Sequence, residues 1–131
     1  MSEEPDIEPI VSHAVERERD YDWLGAVEFY EKALGSVPET DFWELAQLRE
    51  RIGYAFSRVA LQAESVDEFR DRMHQAATNY AMAKESYGRT TESVKSSRML
   101  RCDAMMAYMG HWLASDKSEK KRLLDECWKL A

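Results

Sequence analysis

The sequence predicts an all-α protein of about six antiparallel helices, arranged as three stacked helical hairpins. Three observations carry this. The 131 residues include only 5 glycines and 3 prolines. All three prolines (Pro5, Pro9 and Pro38) lie in the first 38 residues, so from residue 39 onward no proline interrupts a helix. Apolar residues recur at steps of three and four through residues 40–87, which is the period of one helix face. The breaks between such stretches are short, as between antiparallel helical neighbours. With 44% hydrophobic and 33% charged residues, the chain fits one domain, residues 1–131, with its own core.

The first helix is expected from about Asp6 to Asp20. Pro9 falls in its opening turn, where a missing N–H does no harm. The second runs from Trp23 to Val37 and stops before Pro38. Thr40 or Asp41 caps the third, and Glu44 stands three residues after Asp41, as in a capping box. Its apolar stripe includes Leu45, Leu48, Ile52, Phe56 and Val59, and it continues to about Glu64. Ser65 caps the fourth, again with a glutamate, Glu68, three residues on. Val66, Phe69, Met73, Ala76, Tyr80, Ala83 and Tyr87 form its stripe, and Gly88 is its expected stop. Thr90 or Thr91 opens the fifth, which ends near Ala114. Ser115 or Ser118 opens the sixth, which runs to the end of the chain. The hairpins therefore span about 6–37, 40–87 and 91–131.

Comparing the chain with itself reveals a repeat. Ala26, Tyr30 and Ala33 of the second helix return as Ala76, Tyr80 and Ala83 in the fourth, and as Leu124, Trp128 and Ala131 in the sixth. The offsets are 50 and 48 residues. A small residue lets two helices approach, an aromatic one turn later fills the groove, and a second small residue closes the contact. Ala14, Gly53 and Ala104 are placed to answer from the first helix of each pair.

The segment from Trp23 to Pro38, WLGAVEFYEKALGSVP, resembles the second half of a tetratricopeptide repeat (TPR) unit. The later units match that family in pattern only. Their spacing exceeds the family period of about 34 residues, which implies TPR-like hairpins with elongated helices. The resemblance implies a groove, lined by the first helix of each hairpin, that takes a partner's extended peptide or helix. Carried onto this chain, the lining comprises Val11, Val15, Glu18, Tyr54, Ser57, Arg58, Arg98, Arg101, Met105 and Tyr108. Carboxylate-clamping members of the family use Lys and Asn near the start of the groove. Val11 and Val15 stand there instead, so a chaperone's acidic C-terminus is not the implied ligand. Arg58, Arg98 and Arg101 are the candidates for holding an acidic group. Ala131 closes the third unit with no polar helix after it. Either the chain is the N-terminal part of a longer protein, or the sixth helix is itself the cap.

Charge narrows the partners. Residues 1–44 hold 13 Asp/Glu against 3 Lys/Arg, a balance of -10, and residues 45–131 hold 12 against 15, a balance of +3. The total of -7 argues against nucleic acid. No apolar run approaches the roughly 20 residues of a membrane span. The acidic start is unlike a signal peptide, and Cys102 and Cys127 make no disulfide framework, so the expected compartment is the cytoplasm.

No phosphate loop, nucleophile elbow or zinc motif is present, and no cofactor is expected. Asp71 and His74 have the carboxylate-x-x-His spacing of di-iron bundles, but once where such sites need it twice. His13 lacks the basic setting of a phosphotransfer histidine. Cys102, Met105, Met106 and Met109 have the softness to hold Cu(I), although methionine clusters more often pack. Residues 104–114 are apolar nearly all round and call for cover on more than one side. Three functions follow in order. The first is a protein-interaction scaffold. The second is a self-associating module, a homodimer through the fifth helix with Met109 in the contact. The third is a helical sensor or enzyme-associated domain.

Overall fold

The computed structural model describes residues 6–114 and 117–130, without the side chains of residues 117–119. The described residues form six helices: α1 (Glu8–Arg19), α2 (Trp23–Leu34), α3 (Phe42–Leu61), α4 (Val66–Gly88), α5 (Lys95–Leu113) and α6 (Lys117–Leu130). The chain is all-α, as its composition and periodicity predict. Each helix packs chiefly on the helices next to it in sequence, from α1 on α2 through to α5 on α6. Among the described residues no helix is long and apolar enough to cross a membrane.

Local chemistry sets the helix ends. Pro9 lies in the first turn of α1. Tyr21 takes a left-handed backbone, φ 60°, to turn the chain into α2. The Asp22 carboxylate then caps α2 by accepting from the Gly25 N–H at 3.0 Å. α2 ends at Leu34, three residues before the expected Val37, because residues 36 and 37 close into tight turns on the carbonyls of Ala33 and Leu34. Asp41 caps α3 by accepting from the Glu44 N–H. Ser65 caps α4 by accepting from the Glu68 N–H, and the Glu68 carboxylate accepts from the Glu64 N–H, one residue before the cap.

Two expected boundaries move. Gly88 is the last residue of α4, not a left-handed stop, and Arg89 follows as the cap. α5 begins at Lys95, well after Thr90 and Thr91. The reason is that the Thr90 hydroxyl donates to the Tyr87 carbonyl at 2.9 Å, which closes α4 rather than opening α5. Ser115 lies outside the described residues, as does the side chain of Ser118.

Two cores form. The first gathers Ala14, Trp23, Tyr30, Ile52 and Val59 from α1, α2 and α3. The second gathers Met73, Tyr80, Tyr87, Cys102 and Met109 with parts of α3. Phe56 packs against both. The small–aromatic–small triplets of α2 and α4 are buried as the crossing argument requires. Gly53 faces Tyr80 so closely that a β-carbon there would lie 2.8 Å from the ring. Ala14 and Ala104 are buried too.

The third triplet departs from expectation. Trp128 is 76% exposed, and Ala131 lies outside the described residues. Instead, Leu123 packs over Gly110, where an added β-carbon would sit 3.2 Å away. Leu123, Cys127 and Leu130 are half-buried at three- and four-residue steps, with Leu124 half-buried beside them. The face in use is therefore one residue, about 100° of helix rotation, from the expected one.

Candidate functional site

α1, α3 and α5 present side chains to one cleft of about 580 Å³. α3 supplies Gln47, Glu50, Arg51 and Tyr54, whose three- and four-residue steps put them on one helix face. α1 adds Glu18 from its last turn, and α5 adds Arg98, Arg101 and Met105. Tyr80 and Tyr87 reach in from α4. Their rings are held by the core contacts described above, so the floor is fixed by packing.

Two polar clusters tie the cleft walls together. The Tyr30 hydroxyl donates to Glu18 Oε1 at 2.6 Å and accepts from Arg51 Nη1 at 3.0 Å. Burial, and then the bond to Glu18, push the Tyr30 phenol up to about 12. Burial pulls the Arg51 guanidinium down, but its bond to Tyr30 and the charges of Tyr30, Glu18 and Glu44 together hold it above its usual range. In the second cluster the Tyr87 hydroxyl donates to Glu50 Oε1 at 2.6 Å. Arg101 grips the same carboxylate with both Nε and Nη2, and this pairing raises the Arg101 guanidinium. Burial, reinforced by Glu50, raises the Tyr87 phenol. Each carboxylate of the cleft is thus engaged by the protein's own donors, Glu18 by a phenol and Glu50 by a phenol and a bidentate arginine.

Two groups are left over. Arg98 lies over the Trp43 ring, 5.4 Å from its centroid, and has no carboxylate partner among the described residues. Tyr80 is only 3% exposed, and its hydroxyl makes no hydrogen bond among the described residues. Burial, and then the charge of Glu50, raise this phenol.

Of the lining residues expected from sequence, Glu18, Tyr54, Arg98, Arg101 and Met105 border the cleft. The other five do not. Val11 packs against the first core. Val15 is half-buried along α1, away from the cleft. Ser57 is buried and donates to its own helix, at the Tyr54 carbonyl. Arg58 lies over Trp23, 5.6 Å from the ring centroid, with its Nε buried and unpartnered. Tyr108 stacks on His111 and meets the edge of Trp112. Gln47, Glu50, Arg51, Tyr80 and Tyr87 were not expected at the cleft. Their signal was the Gln47–Arg51–Tyr54 spacing on α3, which reads equally well as a solvated face.

The remaining candidates for chemistry fall into place around this. Asp71 accepts from Gln75 Nε2 one turn along α4. Among the described residues no group of three or more His, Cys, Asp or Glu is placed to hold a metal. Burial pushes the Cys102 thiol up to about 12, and Met105 and Met106 pack against its core. Met109 is fully buried in that core. The expected contact of Met109 with a second copy is therefore not at the surface of the described residues, since α4 and α6 pack on α5. A scan against protein-family models, a search of curated proteins and a search of solved structures each return no match for the chain.

Proposed function

We propose that the chain is a protein-interaction scaffold built from TPR-like hairpins, with a binding rather than a catalytic role. The cleft across α1, α3 and α5 takes a peptide or helix of a partner protein. One observation carries this reading. The first helices supply eight of the ten lining residues, with Tyr80 and Tyr87 of α4 as the floor, and Glu18, Glu50, Arg51 and Arg101 are pinned by bonds inside the fold. Preorganised walls cost little ordering on binding. Tyr54, 45% exposed, and Met105 offer the apolar surface.

The test is affinity capture with the full chain and with Tyr54→Glu/Met105→Glu. A partner held by the first and lost from the second, at equal helicity by circular dichroism, supports the reading. Equal retention by both removes the cleft from the interaction. Self-association is the second reading, and with Met109 internal its surface moves to α6, where Trp128 stands exposed. Light scattering on Trp128→Lys tests it: a dimer that becomes monomer supports it, and a monomeric parent chain ends it.

A further inference from the structure

The cleft can be read by subtraction. It holds Glu18 and Glu50 against Arg51, Arg98 and Arg101. Glu50 is matched by Arg101 directly, and Glu18 by Arg51 through the Tyr30 hydroxyl. What remains is one positive charge, on Arg98, and one hydroxyl, on Tyr80. Both are hydrogen-bond donors, and both lie at the cleft surface without a partner among the described residues. The Tyr80 hydroxyl is not among the buried atoms left without a partner, so it opens on the cleft and is free to donate to whatever enters it.

Resting on the scaffold reading, we propose that the cleft recognises a peptide segment carrying a single carboxylate side chain next to an apolar one. The carboxylate pairs with Arg98. A carbonyl oxygen of the segment accepts from the Tyr80 hydroxyl. The apolar side chain lies on Tyr54 and Met105. Its place over the Trp43 ring restrains Arg98 at the cleft while its N–H groups remain for the ligand.

The count of charges makes the site selective. One carboxylate cancels the surplus of the cleft. A second acid, or a phosphate with its charge near -2, places uncompensated negative charge beside Glu18 and Glu50 in a chain already at -7. Acidic runs and phosphorylated segments are therefore disfavoured. The hollow on the opposite side, bordered by Leu34, Phe42 and Met82, shows the contrast. Its arginines are already spoken for, Arg49 by Asn79 and Arg89 by Glu85.

The experiment is selection of a random dodecapeptide display library against the full chain, with Tyr54→Glu/Met105→Glu as counter-selection. The expected motif has one Asp or Glu beside one large apolar residue. The enriched peptide should lose about tenfold in affinity with Arg98→Gln, as for a charge-assisted hydrogen bond, and about fivefold with Tyr80→Phe. Tyr80→Phe should leave the melting temperature unchanged, because this hydroxyl bonds nothing in the fold. Enriched peptides without an acid, with acidic runs, or binding more tightly when phosphorylated overturn the proposal. So does insensitivity to both substitutions, and so does a selection that enriches nothing. A lysate partner that is lost from Tyr54→Glu/Met105→Glu but binds through a segment without a lone acid also overturns it, while leaving the scaffold reading in place.

Discussion

Gly53 shows how much one hydrogen atom in place of a methyl decides. A β-carbon there would meet the Tyr80 ring at 2.8 Å and the Ala76 carbonyl oxygen, a backbone atom, at 3.2 Å. The ring cannot swing away without leaving the core, so the helices would have to part. Gly53→Ala should destabilise the chain by about 1–3 kcal/mol despite alanine's better helix propensity. A urea midpoint that stays put or rises would contradict this. The buried tyrosines predict a pH response. In the folded chain Tyr30 keeps its proton up to about 12, above the ordinary phenol value of 10.0, and Tyr80 and Tyr87 are raised as well. Between those values the folded state binds protons that the unfolded state has lost. The stability they contribute is complete below pH 10 and is lost as pH rises through 12 and beyond. The Cys102 thiol, raised from 9.0 to about 12, starts the decline earlier. Urea midpoints flat to neutral pH and falling from about pH 9 upward are expected; a flat profile to pH 12 would rule it out.

At the scale of helices, caps and stripes decide what a sequence reveals. Ser65 satisfies the Glu68 N–H, so Ser65→Ala should cost about 1 kcal/mol. A thermal melt detects a loss of that size, and an unchanged melting temperature would mean that α4 frays without consequence. α3 and α4 were legible because Asp41 and Ser65 announce them and their apolar stripes are unambiguous. The start of α5 was not, because Thr90 has two uses for its hydroxyl, and only the folded chain shows which carbonyl it meets. The face of α6 was ambiguous for a related reason. Leu123–Cys127–Leu130 and Leu124–Trp128–Ala131 share the same spacing, and only Gly110 on α5 selects between them. Half the cleft could be read from first-helix positions. The Glu50–Arg101 pair spans 51 residues of sequence, and two charged residues on polar faces do not reveal that they meet.

Across the whole molecule, two cores share α3, and Phe56 touches both. Phe56→Ala removes the ring that bridges them and should cost about 3 kcal/mol, near the low end for phenylalanine because the ring is only partly buried. Its larger effect should be on cooperativity. The urea transition should broaden or split, with α1 and α2 losing amide protection separately from α4 and α5. A single sharp transition, merely shifted, would show that other α3 contacts suffice to couple the halves. The same layout gives the apolar stretch of α5 cover within the chain on two sides. Its methionines are absorbed by the second core, between α4 and α6.

Packing on sequence neighbours also has a consequence in time. Every member of the first core lies between Ala14 and Val59. That part can assemble during synthesis, before the ribosome has made α5. Its contacts are local, so closing them costs little chain entropy, and helical domains of this kind fold in microseconds to milliseconds. Pulse-labelled hydrogen exchange should find α1, α2 and the second half of α3 protected first; simultaneous protection of α5 would contradict that order. The cleft is completed last, because Arg98 and Arg101 arrive with α5. A nascent chain therefore buries its first core while the cleft is still unmade, and the proposed site exists only once the fifth helix has docked.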